Sequence, residues 1–433
     1  MNLSQKVAFN TAVQVVSKII TSFFTLLTTI ILTGWLGKEG YGNYAYVITL
    51  LVLFGSFADW GTTTIGVREA AKEKEKQPEI FFNIFLLKIL LSLPAIFLLI
   101  FFANFFASRN FLNLSKIIAL ASFYFLPFAV ISFCRVVFQT KLRMEKTALM
   151  EILTSFLIFL LSFLGVKFGL NLGYLVGAYL FSAFAGAILG IILVAKLQPL
   201  VFSPKRKLLR KLLLESLPMG AILLMFTADN RIDTVMLGGF KGSGAVGIYE
   251  VSSRVYDVLI LGAAFLMNSL LPIFSSLEKE KLKVAFKKAF LTMLFGAVLV
   301  SFFLYFASPL AIKLLTQKRF FEFEDGVGVL RVFSFALFLA YFNHLTGYTI
   351  VALGRQRPYF WIALGSLVFN LVANSIFIPR FSYFGAAWVT VATESLVLLI
   401  TSIFLFLIIF PKTAIRLVNQ NRRIFQKKKK ILT

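Results

Sequence analysis

Three ionisable side chains, Asp229, Arg231 and Asp233, stand close together inside an apolar run from about Ser216 to Leu237. A run of about 20 apolar residues spans a bilayer as a helix. Each of the three would cost about 3 kcal/mol near the centre of a lipid-facing helix, roughly 9 kcal/mol together, and apolar neighbours return only about 0.5 kcal/mol each. Such a helix belongs in a bundle, facing protein or water. At about 100° per residue Asp229 and Asp233 share one face and Arg231 points to the other, so the acids must be neutralised from another element. An intramembrane cluster of this kind marks a substrate or ion path. The competing reading is an ion-pair staple between helices.

Other segments carry chemistry of the same kind. Asn10, Gln14, Ser17, Lys18, Thr21, Thr25 and Thr28 recur at spacings of three and four and keep one face of the first apolar segment polar. That face should line an aqueous path or a polar helix interface, with Lys18 near mid-depth. The run Phe57–Gly61 buries Asp59. Lys88 and Arg135 lie a turn or two from a membrane surface, where snorkelling accounts for both. Glu250, Arg254 and Asp257 follow i, i+4, i+7 on one face. This predicts a structural set in which the two acids hold Arg254 and leave Arg231 the less neutralised cation. Arg331, Asn343, His344, Asn370, Asn374 and Glu394 also fall in apolar segments, where polar side chains often serve as interhelical hydrogen bonds. A lone Cys134 and a lone His344 exclude a disulfide framework and a cysteine or histidine metal cluster.

The elements that must position these residues are membrane helices. The 433 residues are 59% hydrophobic with 52 Phe, and the mean hydropathy is +0.87. Twelve spans can be drawn, at about 8–33, 41–66, 83–107, 115–139, 148–168, 172–195, 216–237, 246–272, 288–312, 326–352, 359–379 and 384–410. The first lacks a small-residue cleavage pattern, so it reads as a retained helix. Pro94, Pro127, Pro218, Pro272 and Pro309 fall within or near span ends, where they can kink a helix. The net charge of +25 is mostly a topology signal rather than a nucleic-acid footprint: 29 Lys and Arg lie on the side of the termini and 9 on the other. Both termini are therefore expected in the cytoplasm. Lys427–Lys430 read as a solvated tail able to touch anionic headgroups.

The halves repeat. Leu36-Gly37 with Gly42 and Tyr44 resembles Leu237-Gly238 with Gly247 and Tyr249, and an offset of 205 carries Tyr44 onto Tyr249 and Glu73–Lys76 onto Glu278–Lys281. Gly177-Ala178 echoes Gly385-Ala386. The expected architecture is all-α and integral to the membrane, with twelve transmembrane helices in two six-helix repeats around a central cavity. Its parts are an N-terminal bundle at 1–200, a basic cytoplasmic linker at 201–215, a C-terminal bundle at 216–410 and a basic tail at 411–433. Parallel repeats of this kind are a transporter design, with the substrate between the halves.

Asn10, Gln14, Ser17-Lys18, the Leu36-to-Tyr44 turn, Phe57-Ala58-Asp59 with Gly61, and Arg68-Glu69 resemble the polysaccharide-biosynthesis (Wzx-type) flippases of the MOP superfamily. Asp229, Arg231, Asp233 and Met236-Leu237-Gly238, with Gly247 and Tyr249, look like that family's second-half signature. The resemblance covers about residues 5 to 410 and implies a MATE-like fold in the plasma membrane of a prokaryote. It implies movement of a polyprenyl-diphosphate-linked oligosaccharide between leaflets, without enzymatic chemistry or cofactor. A glycan polymerase or glycosyltransferases are its expected partners, and nucleic acid is not. Substrate-binding candidates carried over by position are Lys18 and Arg231, then Gln14, Asn10, Lys88 and Arg135. Asp59, Asp229, Asp233 and Glu394 are candidates for a coupling H⁺ or Na⁺. A diphosphate suits such a site because its burial requires charge-assisted hydrogen bonds. Two alternatives are a MATE-type exporter of organic cations, which would favour an acidic cavity, and a membrane-embedded glycan polymerase or ligase. The latter would need an extracytoplasmic loop larger than the link at about Lys313–Asp325.

Overall fold

In the computed structural model, which describes residues 3–110, 114–198 and 201–409, the chain is almost wholly helical. The helices of the first half are α1 (Leu3–Asp59), α2 (Thr62–Lys72), α3 (Gln77–Asn110), α4 (Ser115–Ser122), α5 (Phe125–Thr140), α6 (Met144–Lys167) and α7 (Leu172–Ala195). They are followed by α8 (Arg206–Lys241), α9 (Ser243–Leu259), α10 (Leu261–Ser276), α11 (Lys279–Thr316), α12 (Asp325–Ala352) and α13 (Gln356–Ile409). Among the described residues, ten helical runs are long and apolar enough to cross a membrane. Two are long enough to cross twice. The 57 residues of α1 would extend about 86 Å at 1.5 Å per residue, against a hydrocarbon core of about 30 Å. α1 is broken at Gly37 (φ 67°) and the 54-residue α13 at Ser382 (φ 54°). Counting each as two passes is consistent with the twelve predicted spans. Pro94, Pro218 and Pro309 lie inside helices. The Pro272 side chain and the Lys427–Lys430 run lie outside the described residues.

The duplication is written into the links. Besides Trp60, Gly61 and Gln317, left-handed residues occur at Gly37, Leu142 and Gly169 in the first half and at Gly242, Gly354 and Ser382 in the second. These are the links between spans 1 and 2, 4 and 5, and 5 and 6, followed by their counterparts in order. The match to Gly37 is therefore Gly242, 205 residues on, and not Gly238 as the Leu-Gly pairing suggests. Gly238 instead lies within α8 against the ring of Tyr46, where a Cβ would come within 2.4 Å.

The described residues fall into two compact units, one within Met1–Val255, Ala307–Leu330 and Leu371–Ala387, the other within Tyr256–Phe306, Arg331–Asn370 and Trp388–Thr433. In the first, Phe81, Ile84, Phe133, Val136, Phe138 and Met150 pack around buried Cys134. In the second, a smaller cluster forms around Ile350 and Leu405. Large side chains such as Phe97, Phe295, Phe302 and Phe303 remain exposed, as expected of surfaces solvated by lipid rather than water.

Candidate functional site

The first unit holds most of the predicted polar residues. On α8, Asp233 is buried and Asp229 and Arg231 are half-buried. Asp233 accepts from the Tyr249 hydroxyl at 2.9 Å through Oδ2 and from Asn374 Nδ2 at 2.5 Å through Oδ1. Asn374 and Tyr249 are themselves fully or nearly fully buried. Tyr249 lies in the repeat motif, but helical spacing does not reveal it as a partner of Asp233. Thr234 donates to Glu250 Oε1 at 2.6 Å, and Arg254 stands 3.4 Å from Glu250 Oε2. The Glu250–Arg254 half of the predicted structural set is therefore in place; Asp257 follows on the same helix. Glu250 has no exposed surface, and removing one partner of such a pair costs about 3–5 kcal/mol. Arg254→Ala should accordingly lower the yield of monodisperse protein after extraction. A well-folded but inactive variant would instead place Arg254 in the transport path.

Lys18 and Gln14 are exposed on α1. The Lys18 ammonium has no acidic partner among the described residues. Asn10 is different. It is buried, its Nδ2 donates to Leu142 O and its Oδ1 accepts from Met144 N, both at 3.1 Å. Both ends of the amide are used to pin α1 to the α5–α6 turn, where Leu142 is left-handed (φ 54°), so Asn10 is structural rather than substrate-facing. The Thr stripe is also partly self-satisfied. Thr25 and Thr28 donate to the carbonyls of Thr21 and Phe24 one turn back, so these hydroxyls do not require water.

Lys88 and Asp59, predicted in separate roles, meet. Lys88 has no exposed surface and its ammonium lies 2.5 Å from Asp59 Oδ1. Snorkelling is thereby excluded for Lys88, and neither residue is available to a substrate as placed. Arg135 pairs with Glu151 at 2.9 Å, with both side chains about one-third exposed. In the second unit, Glu394 Oε2 accepts from Asn343 Nδ2 at 2.5 Å, and the same amide reaches the Glu394 carbonyl at 2.8 Å. Arg331 stacks over the Tyr305 ring at 5.4 Å, and His344 binds the Ala340 carbonyl one turn back. Among the described residues no three His, Cys, Asp or Glu side chains gather as a metal site.

The repeat-related turns meet backbone to backbone. A Cβ on Gly42 would fall 1.8 Å from Ser243 O, and one on Gly247 would fall 2.1 Å from Lys38 O. The offset of 205 carries Gly42 onto Gly247 and Lys38 onto Ser243, so the two contacts are copies of each other. Arg319 reinforces this end, donating to the carbonyls of Gly34 and Trp35 and pairing with Glu322, which accepts from Lys38 N.

A family model described as polysaccharide biosynthesis protein matches residues 7–278, more than half of the chain. The chain belongs to the polysaccharide biosynthesis protein family. A second model, MatE, matches residues 218–376. Within the polysaccharide biosynthesis proteins, the capsular polysaccharide biosynthesis protein CapF of Staphylococcus aureus is 26% identical over 212 residues, 46% of this chain and 51% of CapF. The match thus spans about half the length of that curated relative. Among solved structures, the lipid II flippase MurJ in an inward closed conformation superposes with a TM-score of 0.78 at 16% identity, covering 90% of this chain and 86% of MurJ. An inward-facing multidrug resistance MATE family transporter of the MOP superfamily gives 0.71 at 16% identity, over 88% and 94% of the two chains. A MOP superfamily transporter from Pyrococcus furiosus gives 0.63 at 16%, over 93% and 96%. At these identities the likeness shows the fold: an all-α, multi-pass membrane architecture of the MATE type.

Proposed function

We propose that this polysaccharide biosynthesis protein is a flippase that carries a polyprenyl-diphosphate-linked oligosaccharide from the cytoplasmic to the outer leaflet by alternating access of its two sequence halves. Family membership supports the substrate class. The observation that carries the site is Lys18, a cation on a membrane helix whose ammonium has no acidic partner among the described residues. Arg231, half-buried on α8, is its proposed companion. A diphosphate supplies anionic oxygens that Lys18 and Arg231 can bind by charge-assisted hydrogen bonds. The excess of Lys and Arg on the side of the termini supports cytoplasmic termini in a prokaryotic plasma membrane, with glycosyltransferases supplying the substrate and a polymerase receiving it.

The coupling ion, H⁺ or Na⁺, is proposed to act at Asp233. This carboxylate is buried, tied to a tyrosine hydroxyl and an asparagine amide, and shares a helix with Arg231. Asp233→Asn should translocate at a reduced rate that no longer responds to an imposed H⁺ or Na⁺ gradient. Retained gradient dependence would remove Asp233 from coupling. The test is movement of a fluorescent lipid-linked oligosaccharide between the leaflets of proteoliposomes, run with each gradient in turn. The MatE match over 218–376 favours a second reading, export of organic cations, which the same vesicles distinguish by cation efflux.

A further inference from the structure

The surroundings of Lys88 are those of a bound ion rather than of a surface lysine. Its ammonium contacts four oxygens: Asp59 Oδ1 at 2.5 Å, Ser132 Oγ at 2.8 Å, and Thr62 Oγ1 and Thr63 Oγ1 at 2.9 Å each. These come from the end of α1, the start of α2 and the middle of α5, while Lys88 itself comes from α3. The ligands are also joined to one another. Ser132 donates to Asp59 Oδ1 at 2.7 Å, Thr63 donates to the same oxygen, and the Thr63 and Ser132 hydroxyls are 2.9 Å apart. An ammonium offers only three protons, so four oxygens converge on a centre with fewer directed bonds to give.

The backbone has the corresponding form. The chain breaks between α1 and α2 at Trp60 (φ 40°) and Gly61 (φ 72°), which leaves Asp59 at the C-terminal end of a half-helix. Such ends carry partial negative charge, and broken membrane helices place them at cation sites. The break is held by packing on α8: a Cβ on Gly61 would meet Gly220 N and Met219 at 2.7 Å, and one on Gly220 would meet the Trp60 ring at the same distance.

We propose that Asp59, Thr62, Thr63 and Ser132 form a monovalent-cation site in which Lys88 is the resident, covalently tethered cation. One carboxylate and three hydroxyls balance a single positive charge. The site would take a primary alkylammonium, or a small inorganic monovalent cation, if the tether were removed. Because the position is always filled, Asp59 does not exchange a transported ion; this second consequence rests on the proposed ion-coupled translocation.

Lys88→Ala removes three carbons and the ammonium, the outline of n-propylammonium. Purified Lys88→Ala should gain a saturable rise of a few degrees in melting temperature with n-propylammonium. Ethylammonium and methylammonium should act progressively less, and tetramethylammonium, which has no N–H to donate, should have no effect. Asp59→Asn/Lys88→Ala should not respond to any of them. A folded Lys88→Ala protein whose melting is unmoved by n-propylammonium would overturn the site. If Lys88→Ala does not survive extraction, n-propylammonium present throughout solubilisation should recover folded protein, and failure to do so would equally contradict the site. In vesicles, Asp59→Asn/Lys88→Met should keep the gradient dependence of the unmodified protein at whatever rate it retains. Translocation by this variant with the gradient dependence lost would return coupling to Asp59. Absence of translocation by the unmodified protein would refute the flippase reading while leaving the melting result to judge the site.

Discussion

Arg231→Ala is expected to abolish or nearly abolish glycolipid translocation while inserting and folding normally, and Lys18→Ala is expected to do the same. A hydrogen bond to a charged group is worth about 1.5–3 kcal/mol, roughly a 10- to 150-fold change in binding. A lipid-linked diphosphate that loses one of its two proposed cations should lose about that much. Lys18 is exposed on α1 and Arg231 half-buried on α8, so neither truncation empties a packed core. Folded yield therefore separates them from Arg254→Ala, which leaves Glu250 buried without its charged partner. The measurement pairs a translocation rate with monodisperse yield for each variant. Full activity in Arg231→Ala would remove it from the substrate path.

The second large effect is expected at the crossing of the repeat-related turns. Gly42→Ala or Gly247→Ala would drive a methyl group into a main-chain carbonyl at 1.8 or 2.1 Å. Overpacking in a core costs about 1–3 kcal/mol when side chains can adjust, and a carbonyl within a helix has far less freedom to move. The two turns should separate at this point. With Cys134 buried and so silent, a cysteine placed at Lys38 reports the change through a membrane-impermeant thiol reagent. Labelling should rise several-fold when Gly247→Ala is added to Lys38→Cys. Equal rates would show that the glycine crossing does not limit access at Lys38.

Much of the fold was legible because a bilayer imposes few solutions. Apolar length alone located the span at 172–195, where the helix is Leu172–Ala195, and the span at 326–352, where it is Asp325–Ala352. The Asn171 side chain caps the former by accepting from Tyr174 N. The spacing of Glu250 and Arg254 gave their pairing, since partners one turn apart on one helix are fixed by its geometry. Partners on different helices were not legible. Asp59 and Lys88 are 29 residues apart and Asn10 and Leu142 are 132 apart, and no periodicity links such positions. The run Thr62–Thr64, separated from Asp59 by Trp60-Gly61, was the one available signal for a polar pocket there. The repeat register was misread at Gly238 for a related reason. Leu-Gly occurs at both places in the sequence, but only backbone conformation shows that Gly242 shares the left-handed turn of Gly37.

The central claim is tested most directly in proteoliposomes containing the unmodified protein. A fluorescent polyprenyl-diphosphate oligosaccharide and a lipophilic cation would be followed side by side, with and without H⁺ and Na⁺ gradients. Movement of the glycolipid between leaflets without efflux of the cation is the predicted result. Cation efflux with the glycolipid left in its original leaflet would contradict it and move the chain to the multidrug exporters.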